Sequence, residues 1–210
     1  MKEELAIWNR NGIEGRGSVP PYEGFSGTLL VCGTSRELWD DLKAFYEFGT
    51  SGHVACLNQA ILHYPYLRND HPWPLRHAIG FDPNNAYQLV EYRKLRGQDV
   101  SNVAVHASSQ PASCVWELVN VKDIAFSACF AVAIGLAMGY EKIVLAGCSQ
   151  SSDGHYYDPP WIPPSEYGVR VYKFQWEMNA NIFSGRVRSM SGKTKEFFGA
   201  PTLEWLKGEE

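Results

Sequence analysis

The residue types best suited to chemistry lie in one polar segment, SQSSDGHYYDP, at residues 149–159. His155 is a candidate general base, because a histidine side chain can take up and release a proton near neutral pH. Tyr156, or else Tyr157, could donate a hydrogen bond to a departing phosphate group. The alternative for His155 is a solvent-exposed or loop-bracing histidine, and the sequence leaves both interpretations open.

Two carboxylates, Asp153 and Asp158, flank this histidine. They could hold a Mg²⁺ ion, because hard divalent cations take oxygen ligands. Acidic residues in a glycine-containing loop are nevertheless more often turn formers than metal ligands. His106, near the end of another predicted strand, is a second candidate for a proton-transferring side chain.

The polar segment follows a helix and a strand that should position it. Residues 141–148 (EKIVLAGC) form a short continuous apolar run, which is typical of a parallel strand covered on both faces. Ser127 is the predicted cap of the preceding apolar helix, which should end at Gly139 in the left-handed conformation. Ligands of open α/β sheets bind beyond the carboxyl ends of such strands, so we expect the functional site there.

Two further strand ends should reach the same edge. In TLLVCGTS, which begins at Thr28, Gly33 gives a turn and Ser35 is the predicted N-cap of a helix, an arrangement that suits a phosphate. The pattern is neither GxGxxG nor a Walker motif, which disfavours an NAD site and a P-loop NTPase. Asn58, after the next strand, could hydrogen-bond a base, ribose or phosphate, or it could simply close a strand-to-helix turn.

Strands and helices alternate along most of the chain with short connections. This alternation predicts an α/β fold at residues 27–208: a single Rossmann-like domain with a doubly wound, mostly parallel sheet and helices on both faces. Residues 1–26 are rich in glycine, proline and polar groups, and are predicted to form an irregular N-terminal arm.

Bulk properties fit a globular protein of 210 residues with a formal net charge of −4, which does not indicate nucleic-acid binding. No apolar run reaches the roughly 18 residues of a membrane span, and the N-terminus lacks the apolar region of a secretory signal. The five cysteines form no CxxC pair, so we expect buried free thiols and a cytoplasmic location. Homo-oligomerisation stays open.

Several segments together resemble a known family: LLVCGTSRELWDDL, VACLNQA, SACFAVAIGLAMGYEKIVLAGCSQSSDGHYY and RVRSMSGKTKEFFGAPTLEWL. The chain resembles the family of archaeal hydroxymethyl-dihydropterin diphosphokinase and the motility accessory factors of flagellin glycosylation. It is also similar to the related bacterial lipooligosaccharide sialyltransferases and to uncharacterised phage proteins. The resemblance covers most of residues 27–206 and implies a Rossmann-like nucleotide-binding domain.

The resemblance implies nucleotide contacts at six positions: Gly33, Thr34, Ser35, Asn58, Ser127 and Gly147. The family commonly has an aspartate two residues after the last of these, whereas Ser149 and Gln150 stand here. A carboxylate for a metal or a ribose is therefore missing unless Asp153 replaces it. Gln150, together with Asn58, would then hold the base or the ribose.

Three functions follow from these observations. The first is a nucleotide-dependent transferase, most simply a glycosyltransferase with a nucleotide-sugar donor, an unidentified acceptor and His155 as general base. The second is a Mg²⁺-dependent diphosphokinase using ATP, with Asp153 and Asp158 on the metal; the missing acidic turn places it second. The third is a non-catalytic binding or assembly protein, for example of a phage, that retains the fold.

Overall fold

The computed structural model describes residues 6–10, 13–17, 26–64, 73–118, 121–122, 124, 126–159 and 173–210. For 6–10, 13–17 and Pro83 only the backbone is described. The strands in these ranges are β1 (Ala6–Arg10), β2 (Ile13–Gly17), β3 (Thr28–Cys32), β4 (Gly52–Leu57), β5 (Leu75–Ile79), β6 (Ala104–Ala107), β7 (Cys114–Leu118), β8 (Lys142–Ala146) and β9 (Val187–Ser189).

The helices in the same ranges are α1 (Leu38–Tyr46), α2 (Ala60–His63), α3 (Pro83–Leu95), α4 (Ser127–Met138), α5 (173–178), α6 (Ala180–Phe183), α7 (Gly192–Phe198) and α8 (Leu203–Lys207). α4 ends, as expected, at Gly139, whose φ of 109° is in the left-handed region. The chain can therefore turn sharply from α4 into β8.

The strands form one sheet in the order β1-β2-β7-β6-β5-β4-β3-β8-β9. Every neighbouring pair from β7 to β9 in that order is parallel, which confirms the Rossmann-like α/β fold. The predicted irregular arm differs from the structure: β1 and β2 form an antiparallel hairpin that extends the sheet beyond β7. Pairing with the hairpin satisfies backbone groups that β7 would otherwise leave open at the sheet edge.

Helices cover both faces of the sheet. α4 lies on one face, and every residue from Cys129 to Met138 is buried, because it packs between the sheet and an outer layer that includes Trp176 and Phe183. Gly135 allows this approach, since a Cβ there would lie 2.8 Å from Leu29 Cδ2. α1 and α3 pack on the other face, and all five cysteines are buried and free, as predicted.

The chain reverses direction across the sheet between β3 and β8. It runs outward from β3 through β4, β5, β6 and β7, and then returns to β8 on the other side of β3. Cys32 and Ala146 lie in register at the carboxyl ends of β3 and β8. This is the topological switch point, where open α/β sheets bind their ligands.

Candidate functional site

The turns that follow β3 and β8 meet at the switch point and are hydrogen-bonded to each other. The Gly33 N–H donates to the Ala146 carbonyl at 2.8 Å, and the Ser35 N–H donates to the Gly147 carbonyl at 2.9 Å. A Cβ on Gly33 would lie 2.3 Å from the Gly147 oxygen, so this contact requires a glycine. We call residues 33–35 and 147–150 the switch-point turns.

The polar segment folds back over these turns. Ser35 and His155 form an isolated antiparallel bridge, and the Tyr156 N–H donates to the Thr34 carbonyl at 3.0 Å. Arg36 also binds the segment: its Nε donates to the Asp153 carbonyl at 2.6 Å. The structure therefore brings together the turn after β3 and the loop that carries His155, which are far apart in the sequence.

His155 is held on one side and open on the other. Thr34 Oγ1 lies 2.9 Å from His155 Nδ1, and the ring stacks on Tyr157 with centroids 5.0 Å apart. The residue is exposed. If Nδ1–H donates to Thr34, the neutral ring presents an unprotonated Nε2, which is the form that a general base requires.

The two tyrosines of the segment point to different surroundings. The Tyr156 hydroxyl lies 2.6 Å from His63 Nδ1 and its ring packs against Trp39, so burial raises the pKa of the hydroxyl. Tyr157 is 44% exposed and lies beside His155. Tyr157, rather than Tyr156, is therefore placed to reach a ligand that His155 contacts.

The Asp158 carboxylate stabilises the turn, whereas Asp153 is exposed and contributes its backbone carbonyl to Arg36. Asp158 Oδ2 accepts the His155 N–H at 2.7 Å, and the Asp158 N–H donates back to the His155 carbonyl at 3.0 Å. Gly154 takes a φ of 82° in front of it. Within the ranges that the structure describes, no three His, Cys, Asp or Glu side chains converge as a metal site would need. The geometry thus supports the turn-forming interpretation of Asp158.

The turn after β3 does not have the features of a phosphate cradle. The N-cap of α1 is Glu37 rather than Ser35, whose carbonyl instead accepts the Leu38 N–H at 3.1 Å. Two of the turn's amides are already bonded to β8 and its turn. Asp40 and Asp41 lie in the first turn of α1, where negative charge would repel an anion drawn to the helix end.

Asp41 is a site residue that the sequence analysis missed. It is only 5% exposed, and its Oδ2 accepts from the Gly147 N–H at 2.8 Å and from Ser191 Oγ at 2.7 Å. Burial raises the pKa of the carboxyl group, although these hydrogen bonds oppose the shift. No sign of this role was visible in the sequence, because nothing in the pattern of an amphipathic helix separates one buried acidic residue from the solvent-exposed acidic residues beside it.

The turn after β8 has an unusual backbone conformation and an unpaired buried amide group. Gly147 and Gln150 both have left-handed backbones, with φ of 61° and 53°, and the second is a non-glycine residue. The Gln150 side-chain nitrogen is buried without a hydrogen-bond partner. Buried donors of this kind are rare, so this amide is available to a ligand that reaches it.

Asn58 and Ser127 lie on the β4–β5 side of the same edge. Asn58 has a left-handed φ of 49°, and its Oδ1 accepts from Asn85 Nδ2 at 3.3 Å. Ser127 does not cap α4: the N-cap is Phe126, and Ser127 Oγ accepts the Phe81 N–H at 3.2 Å. The first turn of α4 carries neither an acidic residue nor a side-chain cap, so its amides face no competing anion.

His106, the second candidate for proton transfer, is not part of this site. It is 1% exposed and lies between Trp116 and His77 within the sheet layer. Burial lowers its pKa to about 3. A substrate at the switch point could not reach it.

The chain matches no family model, and comparisons with curated proteins and with solved structures give no significant match. The family resemblance therefore stays a prediction from the sequence. None of the described helices is both long and apolar enough to cross a membrane.

Proposed function

We propose that the protein is a nucleotide-dependent transferase of the glycosyltransferase type, with a nucleotide-sugar donor and His155 as its general base. One observation carries the proposal: the segment after β8 places an exposed histidine at the switch point, with Nδ1 hydrogen-bonded to Thr34 at 2.9 Å. The position is the one where α/β sheets bind ligands, and the bond can fix the tautomer that a base needs.

In this proposal the acceptor hydroxyl gives its proton to His155 Nε2. The acceptor oxygen forms a bond to the anomeric carbon while the bond from that carbon to the nucleotide phosphate oxygen breaks. Tyr157 donates a hydrogen bond to the departing phosphate, and Thr34 keeps the imidazole oriented throughout. Thr34 acts through His155 and is a positioning residue.

The donor phosphates are best accommodated at the start of α4. The turn after β3 offers few open amides and lies against the acidic first turn of α1, whereas Ser127 begins a helix of 12 residues with no acidic residue in its first turn. Asn58, close to β5 at the same edge, and Gln150 supply amide groups for the base or ribose. A Mg²⁺ requirement has no support in the described side chains.

One observation favours a second candidate, a binding or assembly protein that retains the fold without the chemistry. The Gly33 and Ser35 amides, which the family resemblance assigns to phosphate, are bonded to the chain itself. A protein that no longer binds a nucleotide could close its phosphate turn in this way. The two candidates differ in whether the protein binds a nucleotide.

The test is a thermal-shift titration with CMP, UDP, GDP, ADP and ATP, each with and without Mg²⁺. A ligand that binds only the native state raises Tm. We expect a metal-independent shift with CMP or UDP that Ser127→Asp removes, since the new carboxylate competes for the α4 amides. Asn102→Asp, exposed in the loop before β6 at the opposite edge, is the matched control and should keep the shift.

A shift only with ATP and Mg²⁺ would overturn the glycosyltransferase assignment in favour of a diphosphokinase. No shift with any nucleotide would overturn nucleotide dependence altogether and leave the binding protein. A shift that Ser127→Asp and Asn102→Asp reduce equally would refute the α4 phosphate site.

A further inference from the structure

Five polar side chains form a continuous hydrogen-bonded row beneath α4, remote from the switch-point turns. Trp116 Nε1 lies 2.9 Å from His106 Nδ1, and His106 Nε2 lies 3.0 Å from His77 Nδ1. The Tyr140 hydroxyl lies 2.8 Å from His77 Nε2 and 2.7 Å from His53 Nδ1. We call these residues the polar relay; they connect β7, β6, β5, the turn after α4, and β4.

The chemistry of one end fixes the direction of the bonds from Trp116 as far as the Tyr140 oxygen. An indole N–H can only donate, so His106 Nδ1 must accept from Trp116, and the neutral His106 ring carries its proton on Nε2. That proton is donated to His77 Nδ1, which places the His77 proton on Nε2 and directs it to the Tyr140 oxygen. When the Tyr140 proton points to His53 Nδ1, the neutral His53 ring is also protonated on Nε2.

The relay has a buried inner part and a partly exposed outer end. His106 and His77 are each 1% exposed and Tyr140 is fully buried, whereas His53 is partly exposed. Burial, together with the neighbouring histidines and Arg76, lowers the pKa of His77 well below its ordinary value. Burial and Arg76 also lower the pKa of His53.

Few other charged groups face the relay among the described side chains. α4 carries no charged residue along Ser127–Met138. Arg76 on β5 acts electrostatically on His77 and His53, whereas Glu117 on β7 and Glu141 after Tyr140 are exposed. The side chains of β1 and β2 lie outside the described set.

We propose that the polar relay is a one-directional, acid-sensitive latch that holds β4, β5, β6 and β7 together and opens from His53. Protonation of His53 turns Nδ1 into a donor, which reverses the outermost bond and forces the Tyr140 proton out of the relay. His106 and His77 cannot take a proton without breaking a bond to a partner that is fixed as a donor. The relay is therefore complete only while all three rings are neutral.

The sign of the pH effect follows from linkage. Because the folded state holds His77 and His106 neutral, their contribution to stability is full above the ordinary histidine pKa of about 6.5 and is lost as the pH falls below it. Each ring should make unfolding take up about one further proton in that acidic range. The latch thus loosens on acidification and tightens at neutral pH.

The direct test is nitrogen-15 NMR of the imidazole rings in the full chain at pH 7.5. We expect His53, His77 and His106 all to carry their proton on Nε2, with Nδ1 unprotonated. A ring with its proton on Nδ1 at any of these three positions would overturn the relay direction. This measurement uses the unmodified protein, so it does not depend on whether a variant folds.

A second test addresses the latch. Tyr140→Phe removes the hydroxyl that donates to His53 Nδ1, so the pKa of His53, followed by the same NMR signals, should rise towards its ordinary value. Tyr92→Phe, which removes the hydroxyl of a 55% exposed tyrosine on α3, is the matched control and should leave the pKa of His53 unchanged. An unchanged His53 pKa in Tyr140→Phe, or an equal shift in both variants, would refute the latch.

Discussion

Thr34→Val tests whether one hydroxyl holds the histidine loop on the switch-point turns. Valine keeps the shape of the buried threonine and the backbone bond from the Tyr156 N–H, but it removes the 2.9 Å contact with His155 Nδ1 and the side-chain hydrogen bond between Thr34 and Tyr157. A hydrogen bond of this kind contributes about 1 kcal/mol net, which corresponds to roughly a fivefold change in an opening equilibrium. We therefore expect the segment 151–158 to open about five times more often in the variant.

Amide hydrogen exchange measures this opening at two N–H groups: that of His155, which donates to Asp158 within the loop, and that of Tyr156, which donates to the Thr34 carbonyl. Thr202→Val is the matched control, because it removes a hydroxyl that caps α8 by accepting the Trp205 N–H at 3.0 Å. The control should lose about 1 kcal/mol of stability without changing exchange in the loop. Unchanged exchange in Thr34→Val, or the same acceleration in both variants, would show that Thr34 does not position His155.

Three further outcomes follow from contacts of the same site. Asp41→Asn should gain stability relative to the wild type as the pH rises from about 4 to 7, because the raised folded-state pKa of Asp41 means that the wild type loses stability over that interval. The difference between the urea midpoints of the variant and the wild type, measured at both pH values, gives the sign. A difference that changes in the opposite direction would contradict the prediction. Gly33→Ala should lower the free energy of unfolding by about 1–3 kcal/mol, since its methyl group would meet the Gly147 oxygen; an unaltered urea midpoint would count against the close contact. Arg36→Met should speed proteolysis within residues 151–159 while shifting global stability by less than about 0.5 kcal/mol, since the exposed Arg36 donates, among the described residues, to the carbonyls of Asp153, Asp158 and Pro159. Equal proteolysis rates would show that Arg36 does not hold the segment.

The fold was predictable because its signals are local and continuous. Burial on both sides requires apolar residues, and these appear in the sequence as the run at 141–148 and as the apolar helix before it. Gly139 marks the turn between the two segments. Alternation of such segments limits the topology to a doubly wound sheet. The β1–β2 hairpin was missed because its glycine and polar residues resemble those of a loop. Its strand β2 is stabilised by backbone hydrogen bonds to β7, which the local sequence pattern does not indicate.

The site was predictable only in part, because its contacts join residues far apart in the chain. His155 was proposed from its local pattern and Thr34 from the family resemblance, but their hydrogen bond spans a separation of 121 residues. The direction of each tyrosine depends on neighbours such as His63, which no spacing rule specifies. The N-cap predictions failed for a related reason: Ser35 and Ser127 use their oxygens in tertiary contacts instead.

The central claim is that His155 removes a proton from an acceptor in a nucleotide-dependent transfer. The most direct test is release of free nucleotide from CMP-, UDP- and GDP-sugars, with water as acceptor, by the wild type and by His155→Ala. We expect the wild type to release nucleotide from one donor class and the variant to be about 10²–10⁴ times slower, with an unchanged thermal shift for that nucleotide. Undiminished release by His155→Ala, or no release from any donor by the wild type, would contradict the account.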